Sequence, residues 1–267
     1  MKKITALLAA TILSLVSAAF AQNADQVTPG VIYGSGNNNE AFTIDRQGSI
    51  EVGLRGKLRF DENNAPQSVY NYDGVDTYTF DPAFADPGFG FTPGVDPTWN
   101  FDWSVNVNLD GQTGASLSDY IYRLELDVDP SAGFDFLTFD PINVPCADHA
   151  LGTNASSQSN RTITNCGSAT AGTDYQSNLA QFNLAQQSWS YSFFSGILAG
   201  FDPTDAGLYT IRLSVFEPAD QLGTALASSS INIRALNGEV PLPGAALFMA
   251  AGLAGLGAAR RSRTKRS

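Results

Sequence analysis

From position 99 to position 109 every odd residue is apolar and every even residue is polar. Trp99, Phe101, Trp103, Val105, Val107 and Leu109 alternate with Asn100, Asp102, Ser104, Asn106 and Asn108. Successive side chains of a strand point to opposite faces, whereas a helix gathers its apolar face at a period of 3.6. Eleven residues of period two therefore exclude a helix and require a strand with one apolar face. Asp110-Gly111 follows as a turn. The pattern recurs over 119–128, where Tyr120, Tyr122, Leu124, Leu126 and Val128 lie opposite Ile121, Arg123, Glu125 and Asp127. It recurs again over 208–217 through Tyr209, Ile211, Leu213 and Val215. Upstream, Ile50, Val52 and Leu54 share a face, and Arg55, Lys57 and Arg59 interleave on another that reads as solvated.

Weaker signals complete the list. Residues 76–80 form a short aromatic strand, and 133–139 form another with Phe134, Phe136 and Phe139. Trp189, Tyr191 and Phe193 alternate, and Ile231 and Ile233 mark a last strand over 225–236. Residues 141–174 read as a long loop. Leu179, Phe182 and Leu184 lie near helical spacing, which predicts a helix over 175–187. Six Asp-Pro pairs begin at Asp81, Asp86, Asp96, Asp129, Asp140 and Asp202. They mark strand ends, because a residue before proline avoids the helical region. About eight strands with turn-rich connections and almost no helix indicate an all-β fold. The expected form is an antiparallel β-sandwich, Ig-like or jelly-roll-like. One-sided alternation implies two sheets, each with one buried face.

The two ends carry a different kind of information. Lys2 and Lys3 precede an apolar stretch over 4–16, and Ala19-Phe20-Ala21 has the small-x-small form of a signal-peptidase site. Residues 1–21 therefore read as a signal peptide, with Gln22 opening the mature chain. The apolar stretch is short for a permanent membrane anchor. Residues 22–40 look irregular, 41–239 contain the β-sandwich, and 240–267 form a separate C-terminal unit. That unit has three parts. Val240-Pro241-Leu242-Pro243 is followed by 16 charge-free residues over 244–259, then by Arg260, Arg261, Arg263, Lys265 and Arg266. As a helix the charge-free run spans about 24 Å, against a hydrocarbon core of about 30 Å. It is barely long enough and weakly apolar, which suits a temporary anchor. The basic residues stay cytoplasmic and place the preceding domain outside the inner membrane.

Val240, Pro241, Leu242 and Pro243, the apolar run and the terminal basic cluster together resemble the VPLPA-type variant of the PEP-CTERM sorting signal of Gram-negative bacteria. The resemblance covers about a tenth of the chain, and Gly244 stands where the family usually has alanine. It implies processing by an exosortase, a membrane-embedded cysteine protease or transpeptidase, near the proline motif. It also implies release to the cell surface or extracellular matrix, in association with polysaccharide and biofilm. Both prolines remove backbone donors and keep the residues before them extended, as a protease cleft requires.

Removing both ends changes the charge. All 26 acidic residues but only eight basic ones lie between positions 22 and 239, a net of −18 against −11 for the whole chain. Such a surface repels nucleic acid. Cys146 and Cys166 are the two cysteines. After export they can pair and close a Ser/Asn/Gly/Thr-rich loop, a stabilisation of roughly 3 kcal/mol on the loop-entropy model. The competing reading joins Cys146 to His149 as Cys-x-x-His, but His149 is the one histidine and no further ligand motif completes a site. For the same reason no nucleophilic triad is expected, and no Gly-x-Ser-x-Gly is present.

Carboxylates are the remaining candidates. Glu125, Asp127 and Asp129 alternate about 7 Å apart on one strand face and, with Asp135 or Asp140, are candidate calcium ligands. The competing reading is a solvated acidic face. A carboxylate pair for glycoside hydrolysis arises by chance among so many acids. Tyr70, Tyr72 and Tyr78 are candidates for stacking on sugars. The sequence thus points to an exported, exosortase-sorted surface or matrix protein with a structural or adhesive, biofilm-associated role and no enzymatic activity. The alternative is a protein that binds or hydrolyses matrix polysaccharide. The expected partners are signal peptidase, exosortase, the inner membrane in passing, and extracellular polysaccharide.

Overall fold

A computed structural model describes residues 23–34, 36–60, 66–80, 99–190, 194, 205–219 and 223–236. The expected signal-cleavage positions Ala19, Ala21 and Gln22 and the whole of 240–267 lie outside these residues. So do Tyr191, Phe193 and the Asp-Pro pairs beginning at Asp81, Asp86, Asp96 and Asp202. Among the described residues no helix is long and apolar enough to cross a membrane.

Two β-sheets enclose one apolar core. The seven-stranded sheet runs in space as β1 (Asn23–Asp25), β2 (Phe42–Gln47), β3 (Ile50–Phe60), β6 (Trp99–Asn106), β10 (Leu184–Ser190) and β9 (Ala150–Gly152). Strand β4 (Pro66–Val69) also pairs with β3. The five-stranded sheet runs β5 (Thr77–Phe80), β12 (Ala227–Ala235), β11 (Gly207–Phe216), β7 (Ile121–Asp127) and β8 (Phe136–Phe139). Every pairing is antiparallel except β5 with β12, which is parallel. The fold is therefore mixed at that edge, and the described strands number twelve against the eight or so expected.

The alternating residues do face the core. Trp99, Phe101, Trp103 and Val105 of β6 meet Leu124 and Leu126 of β7, Ile211 and Leu213 of β11, and Ile231 and Ile233 of β12 in one buried cluster. Gly56 marks a close approach of the sheets, because a Cβ there would collide with Ile233 and Tyr78. Burial of this many large side chains, each contributing about 1.5–3 kcal/mol, is the main stabilising term.

Three expectations for the middle of the chain need correction. The helix is α1 (Ala171–Gln181), not 175–187, and it buries Ala171, Tyr175 and Leu179. Phe182 is already extended, and Leu184 and Ala185 belong to β10, on opposite faces of the seven-stranded sheet. The near-helical spacing ran two elements together. Asn183 separates them by donating to Asn106 Oδ1 at 2.8 Å and Asn154 Oδ1 at 2.9 Å. The long loop also contains an element, β9, which pairs with β10. Likewise the strand expected over 133–139 begins at Phe136.

The outer face of the seven-stranded sheet departs furthest from expectation. Arg55 and Lys57 are buried, as are Asn100, Asp102, Ser104 and Asn106 on the even face of β6. Residues 26–41 cover them. Val27, Val31, Ile32 and Tyr33 form a second apolar cluster with Phe42, Ile44, Ala150 and Leu184. Gly53 allows the contact, since a Cβ there would lie 2.7 Å from Val27. An irregular segment laid on a sheet must satisfy its backbone without a ladder. Buried polar side chains need partners too. Each solves the other's problem. Ile32 N donates to Gln186 Oε1 at 2.8 Å, Thr28 N to Glu51 Oε1 at 2.7 Å, and Asn106 Nδ2 to Thr28 O at 2.7 Å. Arg55 Nη1 donates to Asn38 O at 2.6 Å and Glu40 O at 2.8 Å.

Candidate functional site on the open sheet face

The five-stranded sheet shows a different outer face. Its register places Ser230, Arg212, Glu125 and Thr138 in one row across β12, β11, β7 and β8. Next to it, Asn232 pairs with Thr210 and Asp127 with Phe136, and Thr210 N donates to Asp127 Oδ2 at 3.4 Å. Beyond the end of β7 the chain turns through residues 131–133 and returns as Phe134, which is 60% exposed. The Phe134 and Phe136 rings stack with centroids 5.5 Å apart and planes 10° from parallel. Arg212 Cζ lies 5.2 Å from the Phe134 ring centre and 4.7 Å from that of Phe136. A second stack stands on the same face, with Arg123 Cζ 4.5 Å over buried Phe216 and its Nε 3.7 Å from Glu125 Oε2.

Cation–π contact holds each guanidinium against its ring. The aromatic surface is thereby fixed in place, and ordering it on binding costs little. An exposed ring and a half-buried one beside guanidinium and carboxylate groups suit a ligand with an apolar face and a hydroxyl-rich rim. The arrangement provides contact area and hydrogen bonds.

The candidate calcium ligands do not converge. Asp127 is buried, not solvated; its Oδ1 accepts from Asp129 N at 3.2 Å and Asp135 N at 3.0 Å, and its Oδ2 from Thr210 N at 3.4 Å. Asp129 turns to Ser131, accepting from its N and Oγ at 2.8 Å each, while Glu125 faces Arg123. Asp140 accepts from Tyr122 N at 3.1 Å and Ile142 N at 2.8 Å. These are turn-closing and strand-end bonds of the kind short carboxylates make. Among the described residues no group of three His, Cys, Asp or Glu side chains could hold a metal ion.

Two of the sugar-stacking candidates are core residues. Tyr78 is fully buried and Tyr70 nearly so, while Tyr72 is half-buried and stacked on Tyr78 at 4.6 Å. Tyr78 Oη donates to Ala41 O at 2.6 Å, and Tyr70 stacks on Arg55, whose Cζ is 4.8 Å from its ring centre. Cys146 and Cys166 form the disulfide, with Cα atoms 5.7 Å apart. His149 is thus not a Cys-x-x-His partner. It sits buried among Trp103, Tyr175 and Trp189, edge-on to Trp103 at 4.9 Å. Its Nε2 donates to Pro141 O at 2.8 Å. Burial lowers its pKa and keeps the ring neutral.

Sequence pattern alone places Phe134 and Phe136 in a strand and does not single out Arg212. The available signal was a Phe-x-Phe pair just after Pro130, Gly133 and a turn, facing an arginine on the polar side of 208–217. Pairing of 125 with 212, and of 127 with 136, is what brings them together. No family model, curated protein or solved structure matches this chain.

Proposed function

We propose that this chain is an exported, non-catalytic adhesive protein of the cell surface or extracellular matrix, and that its open sheet face binds glycan chains of that matrix. The observation that carries the binding reading is the Phe134–Phe136–Arg212 stack on an otherwise polar sheet face, with Phe134 exposed at its outer end. Exposed apolar surface held in place on a soluble fold marks an interaction site. The Cys146–Cys166 disulfide supports export, because such bonds persist in oxidising compartments. The sorting reading rests on residues 1–21 and 240–267: a signal peptide, a Val-Pro-Leu-Pro motif, a marginal membrane helix and a basic stop. In this proposal signal peptidase and exosortase act in turn, and the inner membrane holds the chain only in transit. The two sheets then form an Ig-like or jelly-roll-like sandwich that presents the aromatic face outward.

The test follows the chain in an exosortase-competent host. The mature surface protein lacks residues 240–267 by mass spectrometry, and on a glycan array it binds polysaccharide without turnover. Phe134→Ala weakens that binding about tenfold, the equivalent of 1.4 kcal/mol. Retention of the C-terminal peptide overturns the sorting reading. Absence of glycan binding, or binding indifferent to Phe134→Ala, overturns the adhesive one; hydrolysis of the bound glycan replaces it with an enzyme.

A further inference from the structure

Lys57, Asn37 and Asp102 meet beneath the segment that covers the seven-stranded sheet. We propose that Lys57 and Asn37 are joined there by an intramolecular isopeptide bond, with Asp102 as the proton shuttle.

Lys57 Nζ contacts Asn37 Oδ1 directly. Its side chain stands on β3 with only 7% of the residue exposed, and Nζ lies 3.7 Å from Asp102 Oδ2 and 5.8 Å from the centre of the Tyr33 ring. The amide carbon of Asn37 is one bond from the atom Lys57 touches. Its nitrogen is held on the far side, where Nδ2 donates to Tyr33 O and Gly34 O at 3.3 Å each. Gly34 makes this possible. It has φ of 56°, and a Cβ there would come within 2.9 Å of Asn37 Nδ2. The nucleophile and the carbonyl are thus held together, which turns a bimolecular step into a unimolecular one.

The buried ammonium must give up a proton before its nitrogen can attack. A base is in place to receive the proton. Asp102 is fully buried; its Oδ2 accepts from Arg55 Nε at 2.7 Å, while among the described residues no hydrogen-bond partner meets its Oδ1. Burial alone raises its pKa, but the Lys57 and Arg55 charges overcome that and hold the carboxyl below its ordinary value. It is therefore ionised and able to accept.

The step balances without any co-reactant. Lys57 gives one proton to Asp102, and the Nζ lone pair forms a bond to Asn37 Cγ. The tetrahedral adduct collapses by breaking Cγ–Nδ2. Asp102 returns the proton to the departing nitrogen, which leaves as ammonia and carries the excess proton to solvent. One amide replaces another, a buried charge is removed, and Arg55 keeps Asp102 as its counter-ion. The bond closes a loop between positions 37 and 57 and fastens residues 26–41 to β3. That fastening suits a surface protein exposed to shear and proteases.

The experiment uses the full chain, folded, with the disulfide reduced before mass analysis. The expected intact mass is one ammonia below that calculated for the same termini. Proteolysis yields a branched peptide joining positions 37 and 57. Asn37→Ala, a change in the covering loop, restores the full mass and lowers the melting temperature; Lys57→Arg also restores it. A folded wild-type chain of full mass overturns the proposal. So does a deficit that maps elsewhere, such as a cyclised Gln22 at a processed amino terminus.

Discussion

The two sheets carry the same alternation and meet opposite fates on their outer faces. On the seven-stranded sheet the polar positions of β3 and β6 lie under residues 26–41, and Arg55 and Asp102 form a fully buried pair at 2.7 Å. Arg55 also stacks on Phe42 at 4.2 Å, so every side of its guanidinium is engaged. On the five-stranded sheet the corresponding arginines, Arg123 and Arg212, stay at the surface and lean on aromatic rings. Period two identifies which residues share a face. It is silent on whether that face meets water. A polar row under cover becomes structural, since its charges are costly unless paired. The same row left partly exposed can meet a ligand.

The largest expected effect tests the covered face. Asp102→Ala strands the Arg55 charge and costs about 3–5 kcal/mol in denaturant unfolding. Arg55→Met combined with Asp102→Leu recovers part of that loss. A cost under about 1 kcal/mol for Asp102→Ala would show that water reaches the pair and that the cover is loose. The same residue sets an acid limit. Its carboxyl is held below the ordinary value, so its contribution is complete above about pH 4 and is lost as pH falls through the folded-state value. Wild type therefore loses more stability in that range than Asp102→Ala does, as acid-dependent unfolding midpoints will read.

A smaller effect sharpens the comparison. Ile32→Val in the covering segment costs about 0.5–1.5 kcal/mol, as for any buried methyl. If that segment were a detachable strap, the change would leave global unfolding untouched. The smallest effect belongs to the open face. Phe134→Ala shifts unfolding by no more than about 0.5 kcal/mol, because the ring is mostly exposed. A loss of several kcal/mol there would make the aromatic stack a structural element like its buried counterpart.

Much of the fold was legible because the signals were local. The inward rows of β6, β7 and β11 follow directly from alternation, and the turn after β6 from Asp110-Gly111. The disulfide was legible from the presence of two cysteines and little else. The Phe134–Arg212 stack was not. Its members are separated in sequence and come together only through the register of β7 with both β8 and β11. The boundary between α1 and β10 was also hidden, because Phe182 and Leu184 continue a helical spacing that Asn183 interrupts through side-chain bonds to distant asparagines.

By itself the sequence determined that this chain makes strands, which side of each is apolar, and that its two ends differ in composition from the residues between them. Those properties depend on backbone sterics and on residue spacing within a few positions. Tertiary structure alone decided which polar face is sealed and which stays partly exposed. That choice depends on where residues 26–41 come to rest. Their backbone amides and carbonyls, lacking a strand partner, are satisfied by Glu51, Arg55, Asn106 and Gln186, side chains drawn from three strands.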